Sequence, residues 1–210
     1  MKNHFKNAQE LLNFIAEESV MFVDFRFTDY KGKWHHVAYH HSTLDEDMLE
    51  EGVLFDGSSI AGWKAINESD MQLKPDYATA VLDPFAAQKT VYVICDIVDP
   101  VTGQPYERDP RSTAKKAEAY LKSTGVADAA YVGAEAEFFV FDDVRTSIQP
   151  HKISFEISSV EGDSQADKEI EGGNKGHRPG VKGGYFPVPP VDSANDLRAE
   201  MLSVMAEIGL

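Results

Sequence analysis

The run Thr90–Val98, TVYVICDIV, constrains the fold more than any other stretch, because β-branched and apolar residues follow one another almost without interruption. A strand of that kind needs neighbours on both edges and cover on its faces, which predicts a central position in a sheet. Val20–Thr28 supplies a second strand of a different character: Val23, Phe25 and Phe27 face one side, and Asp24, Arg26 and Thr28 the other. Asp29–Gly32 reads as a turn, and Lys33–His41 pairs back as the other arm of a hairpin. Ahead of the hairpin, Ala8, Leu11, Leu12 and Ile15 recur at helical spacing, with Asn7 as N-cap and Glu10 three residues on. Thr79–Leu82 adds a short strand.

The sum is an α+β unit: a small mixed sheet packed by one helix. Its order of helix, hairpin, loop and further strands fits a β-grasp arrangement better than a doubly wound sheet. Thirty-five acidic residues stand against twenty basic ones, a formal charge of −15, with no basic cluster able to neutralise a row of phosphates. Nucleic acid and anionic membranes are thereby poor partners, and small cations or metal ions better ones. Cys95 is the single cysteine, so a disulfide framework within one chain is excluded and the thiol reads as a small hydrophobe. Neither an apolar leader nor a membrane-length apolar run is present, and the expected location is cytoplasmic.

Ser42 or Thr43 is a candidate cap for a short acidic helix that runs to Glu51 and stops at Gly52. Phe55–Met71, FDGSSIAGWKAINESDM, then crowds aromatics, glycines, serines and acids into a non-periodic segment that reads as an ordered loop. Such loops carry binding and catalytic residues when a rigid scaffold presents them; Asp-Gly-Ser-Ser is equally the chemistry of a plain surface turn. His35, His36, His40 and His41 invite a metal reading, but neighbouring residues of a strand point to opposite faces and no Cys or carboxylate stands at zinc-ligand spacing. They are read as solvated or pairing residues.

The second half opens with Asp109-Pro110-Arg111, an N-cap followed by proline at the first helical position. Ala114, Ala117, Tyr120 and Leu121 are the expected buried face of that helix, and Gly125 closes it. Tyr131–Asp143, YVGAEAEFFVFDD, reads as a strand with Glu135 and Glu137 on one face, about 7 Å apart. Like charges so placed on a buried strand take up protons or attract a cation, and hard divalent ions accept such oxygen ligands. On a solvent-facing edge the same pair is merely acidic surface. His151–Ser158 alternates as a strand, and Val160–Gly184 is polar, glycine-rich and without a standard phosphate loop. Tyr185 starts a rigid proline-containing run. Ser193 and Asp196 lead into a last helix with Leu197, Met201, Met205 and Ile208 on one face.

Taken in order, FDGSSIAGWKAINESDM, GAEAEFFVFDD and KGGYFPVPPVDS resemble bacterial type I glutamine synthetase across essentially the whole chain. The resemblance covers only the N-terminal part of that subunit. It implies a β-grasp domain over residues 1–108 and, over 109–210, the truncated start of the catalytic α/β domain. Ala134 and Ala136 depart from the prolines that commonly flank the two glutamates. The resemblance further implies ATP as co-substrate, glutamate and ammonium as the other substrates, and Mg²⁺ or Mn²⁺ held in part by Glu135 and Glu137. Asp56, Ser59 and Tyr185 would line an ammonium pocket, and Asp70 would support it from behind. A homo-oligomer of two stacked hexameric rings is implied, with each site shared between subunits. On this basis the 210 residues alone are expected to show no synthetase activity and to leave sheet edges exposed. A γ-glutamyl–amine ligase of the same fold, or a non-catalytic binding or assembly module, is the alternative.

Overall fold

A computed structural model of the protein describes residues 5–65, 69–162, 178–180 and 182–210. Most of the glycine-rich stretch between Val160 and Gly184 therefore lies outside the described residues, as does the Ile66–Glu68 part of the loop. Contacts divide the chain into two units: Met1–Tyr131 with Val204–Leu210, and Val132–Ser203.

The first unit is built on a six-stranded sheet. β1 (Phe22–Thr28) and β2 (Trp34–His40) form the antiparallel hairpin, from Phe22 opposite His40 to Thr28 opposite Trp34. β3 (Val53–Asp56), β4 (Asp70–Pro75), β5 (Val81–Leu82) and β6 (Thr90–Val98) complete the order β2-β1-β6-β4-β3, with β5 also paired to β6. β6 is central, as its composition predicts: it runs parallel to β1 through Thr90–Ile94 and antiparallel to β4 through Cys95–Val98. Its burial nevertheless alternates. Val91, Val93, Cys95 and Ile97 are at most 1 % exposed, whereas Tyr92, Ile94 and Asp96 are only half-buried.

α1 (Ala8–Glu17) covers the apolar face. Asn7 caps it by accepting a hydrogen bond from the Glu10 amide, and Ala8, Leu11 and Ile15 join the core with Val23, Phe25 and Leu73. α2 (Glu46–Glu51) is capped by Asp45, which accepts from the Met48 amide; Ser42 and Thr43 belong instead to a preceding 3₁₀ turn. Gly52 closes α2 at φ +95°, where a Cβ would stand 2.6 Å from the Leu73 carbonyl oxygen. Thr79 likewise lies in a 3₁₀ turn, so the short strand is confined to Val81–Leu82.

α3 (Pro110–Thr124) begins and ends where the sequence places it, on Asp109 and on Gly125 in the left-handed region. Its expected apolar face is not buried, however. Tyr120 is 73 % exposed, and only Ser112 is buried along the helix, because α3 is tied to the sheet by its first turns. There Arg111 pairs with Asp76 and Asp96, and Lys115 with Asp96.

In the second unit, β7 (Asp143–Gln149) and β8 (Lys152–Ser158) form an antiparallel hairpin. The expected strand over Tyr131–Asp143 is corrected: residues 131–141 carry no ladder, and regular pairing starts only at Asp143. Alternation alone does not make a strand. Its amides and carbonyls need a neighbouring strand, and among the described residues none pairs with this segment. α4 covers Asn195–Ile208, with Leu197, Met201 and Met205 each around two-fifths exposed.

Candidate functional site

The segment from Phe55 to Met71 is shorter as a loop than its composition indicates, because both ends are strand. Phe55 stands opposite Met71, and Asp56 opposite Asp70, in the β3–β4 ladder. Directly opposed residues of an antiparallel pair project to the same face, so two carboxylates share one side of the ribbon at the base of the loop. Like charges so placed repel, and a bound cation would relieve the repulsion.

Asp56 also caps a 3₁₀ turn over Gly57–Ser59. Its Oδ1 accepts from the Ser58 amide at 2.8 Å and the Ser58 hydroxyl at 2.6 Å, and its Oδ2 accepts from the Ser59 hydroxyl at 3.1 Å. The Ser58 hydroxyl, then the Ser58 amide, and more weakly Ser59 hold the carboxyl below its ordinary value. Asp56 is thus an exposed anion locked in one orientation. The turn needs glycine at position 57 for a packing reason. A Cβ there would lie 2.6 Å from Met71 Cγ, while the Gly57 amide donates to the Ser69 carbonyl at 2.6 Å and draws the loop closed.

Beyond the turn, aromatic packing holds the loop down. Trp63 is 5 % exposed, with its ring 5.3 Å from Tyr106, 5.8 Å from Phe27 and 6.2 Å from Phe55. Arg108 donates to the Gly62 and Trp63 carbonyls, a tie that sequence reasoning missed. Its only sequence signal is an arginine just before the helix-starting Asp109-Pro110. On the other side, Asp70 lines a cleft of about 700 Å³ together with Lys64, Ser69 and Asp99.

Of the remaining predicted residues, Glu135 and Glu137 lie in the exposed, unladdered stretch that opens the second unit, 132–141, followed by the stacked Phe139 and Phe141 rings, 5.8 Å apart. Tyr185 belongs to the same unit, is 81 % exposed and packs its ring 4.2 Å from Phe186. Two of the four histidines find carboxylate partners, His35 Nε2 at 3.0 Å from Asp29 and His36 Nδ1 at 2.5 Å from Asp24, while His40 Nδ1 lies 2.8 Å from the Ser42 hydroxyl. Among the described residues, no group of three or more His, Cys, Asp or Glu could enclose a metal ion. Glu135 and Glu137 are nevertheless fitting donors for Mg²⁺ or Mn²⁺: two hard carboxylates, close in sequence, with neither committed to an ion pair or hydrogen bond among the described residues.

Comparison with known proteins gives this geometry its family. The glutamine synthetase β-grasp domain matches residues 19–100, and the glutamine synthetase catalytic domain matches residues 107–210. The chain belongs to the glutamine synthetase family. Glutamine synthetase of Azospirillum brasilense is 61% identical over 201 residues, covering 96% of this chain and 43% of the relative. That of Rhizobium meliloti is 60% identical over 203 residues, covering 97% of this chain and 43% of the relative. The chain thus spans less than half the length of the glutamine synthetases it matches. A cryo-EM structure of Plasmodium falciparum glutamine synthetase superimposes with a TM-score of 0.79 at 24% identity, covering 99% of this chain and 41% of that one, a likeness of fold. The α+β reading, with a β-grasp domain leading into the start of the catalytic domain, agrees with these matches. No helix among the described residues is long and apolar enough to cross a membrane.

Proposed function

We propose that this chain is the N-terminal part of a glutamate–ammonia ligase subunit, which forms glutamine from glutamate, ammonium and ATP. The observation that carries the reading is Asp56: an exposed carboxylate, held ionised by Ser58 and Ser59, with a second carboxylate, Asp70, across the ladder. An anionic pair attracts ammonium rather than neutral ammonia, and a carboxylate can then take the proton that makes the nitrogen nucleophilic.

In this reading the γ-carboxylate of glutamate attacks the terminal phosphorus of ATP and releases ADP. Ammonium enters at Asp56, Ser59 and Tyr185, gives its proton to Asp56, and the resulting ammonia displaces phosphate from the acyl phosphate. Asp70 holds the local field negative. Glu135 and Glu137 would hold divalent metal, Mg²⁺ or Mn²⁺. Such an ion supplies charge neutralisation around the phosphoryl group. The full site is proposed to be shared between subunits of a homo-oligomer of two stacked hexameric rings, operating in the cytoplasm.

The test is Asp56→Ala in a subunit that carries this chain at its N-terminus. Ammonium-dependent glutamine formation should fall roughly a hundredfold or more, with ATP binding intact. Loss of ATP binding instead, with ammonium dependence unchanged, would give Asp56 a different role. Supplying primary amines in place of ammonium separates this reading from a γ-glutamyl–amine ligase.

A further inference from the structure

The loop that carries Asp56 and Ser59 is held by a series of hydrogen bonds that ends on a side chain outside it. Asp56 caps the Gly57–Ser59 turn, the Ile60 amide donates to the Gly57 carbonyl at 3.2 Å, and the Trp63 amide donates to the Ile60 carbonyl at 3.1 Å. The Gly62 and Trp63 carbonyls then receive the Arg108 guanidinium, the latter at 3.4 Å. Arg108 is itself tied down at both sides. The Tyr106 amide donates to Ile97 in the central strand at 2.8 Å, and the next fixed point is Asp109, 1 % exposed, which caps α3.

Gly62 makes the point of contact exacting. It sits at φ +83°, a backbone conformation that favours glycine, and a Cβ there would lie 2.7 Å from the Tyr30 hydroxyl. A cleft of about 630 Å³ opens there, lined by Tyr30, Gly62, Glu107, Arg108, Pro110 and Thr113. Both bonds leave one nitrogen of Arg108, Nη1, whose two hydrogens reach the two successive carbonyls.

We infer that Arg108 is a positioning residue for the ammonium site: it locks the Gly62–Trp63 backbone to the segment that leads into α3, and through it fixes the orientation of Asp56 and Ser59. This rests on the ligase reading above. The coupling is local and contiguous, running through backbone hydrogen bonds and the buried Trp63 ring, and it links the loop to the central strand through Tyr106.

The experiment has two arms. In the 210-residue chain carrying Trp34→Phe, so that Trp63 is the sole tryptophan, Arg108→Ala should shift Trp63 emission to the red and open the loop to limited proteolysis, while far-ultraviolet circular dichroism stays unchanged. Arg108→Lys should restore part of both signals. Unaltered emission and cleavage in Arg108→Ala would overturn the proposal. In a subunit that carries this chain at its N-terminus, Arg108→Ala should raise the KM for ammonium roughly tenfold with little change in the KM for ATP, and Arg108→Lys should recover part of the loss. Equal damage to both KM values, or to neither, would overturn the positioning role. If the unsubstituted subunit makes no glutamine, the ligase reading fails while the fluorescence arm still decides whether Arg108 holds the loop.

Discussion

At Asp56 the hydrogen bonds have a pH consequence whose sign is set by their direction. The folded-state pKa lies below the usual 3.8, so these bonds contribute stability that is present above that value and is lost as pH falls through the lowered one. Ser58→Ala removes the strongest donor, and the carboxyl should move back toward its ordinary value. In an active subunit the acid limb of ammonium-dependent kcat/KM should then move to higher pH, with the alkaline limb unchanged. Cys95 offers a contrasting check. It is 1 % exposed, and burial pushes its thiol well above the ordinary range, so a thiol reagent should leave the folded chain untouched and react only in denaturant. Part of this was legible residue by residue: the inertness of Cys95 and the solvated or pairing character of the histidines follow from residue type and neighbours. The partners of Asp56 were not. Cap geometry decides which serine reaches which oxygen, and the role of Arg108 depends on a carbonyl far away in sequence.

Among the elements, caps and periodicity served well and burial less so. α1, the β1–β2 hairpin, the central β6 and both ends of α3 lie where sequence pattern places them. β3 and β4 are hidden in the sequence because polar loop residues run straight into four- and six-residue strands, and pairing rather than composition defines them. The 131–141 segment shows the converse: alternation over Ala134–Glu137 leading into an aromatic run, without a partner strand among the described residues. Two substitutions probe the elements that hold the site. Asp109→Ala removes the acceptor for the Arg111 and Ser112 amides and leaves the Ser112 hydroxyl unpaired in a buried place. It should cost about 2 kcal/mol, read as a lower urea midpoint at constant slope. Gly57→Ala forces the buried Met71 side chain aside and should cost about 1–3 kcal/mol by the same measurement.

Across the whole molecule, ordered packing is concentrated in the first unit. Its core joins α1, α2 and the six-stranded sheet around Phe25, Leu73 and Ile97, whereas Phe139, Ile148, Ile153 and Phe155 of the second unit are each at least three-quarters exposed. Amide hydrogen exchange of the 210-residue chain should therefore be slowest in β1, β4 and β6 and fast through 131–141, with β7–β8 between. Equal protection in the two units would contradict this. The parallel pairing of β1 with β6 has a further consequence, for synthesis. Phe22 has His40 opposite it within the hairpin but finds its second partner only at Thr90, so the hairpin leaves the ribosome with one edge bare and must wait for the strand that will cover it. Nascent chains stalled before β6 emerges should be held by chaperones; those stalled after it should be released with the sheet closed.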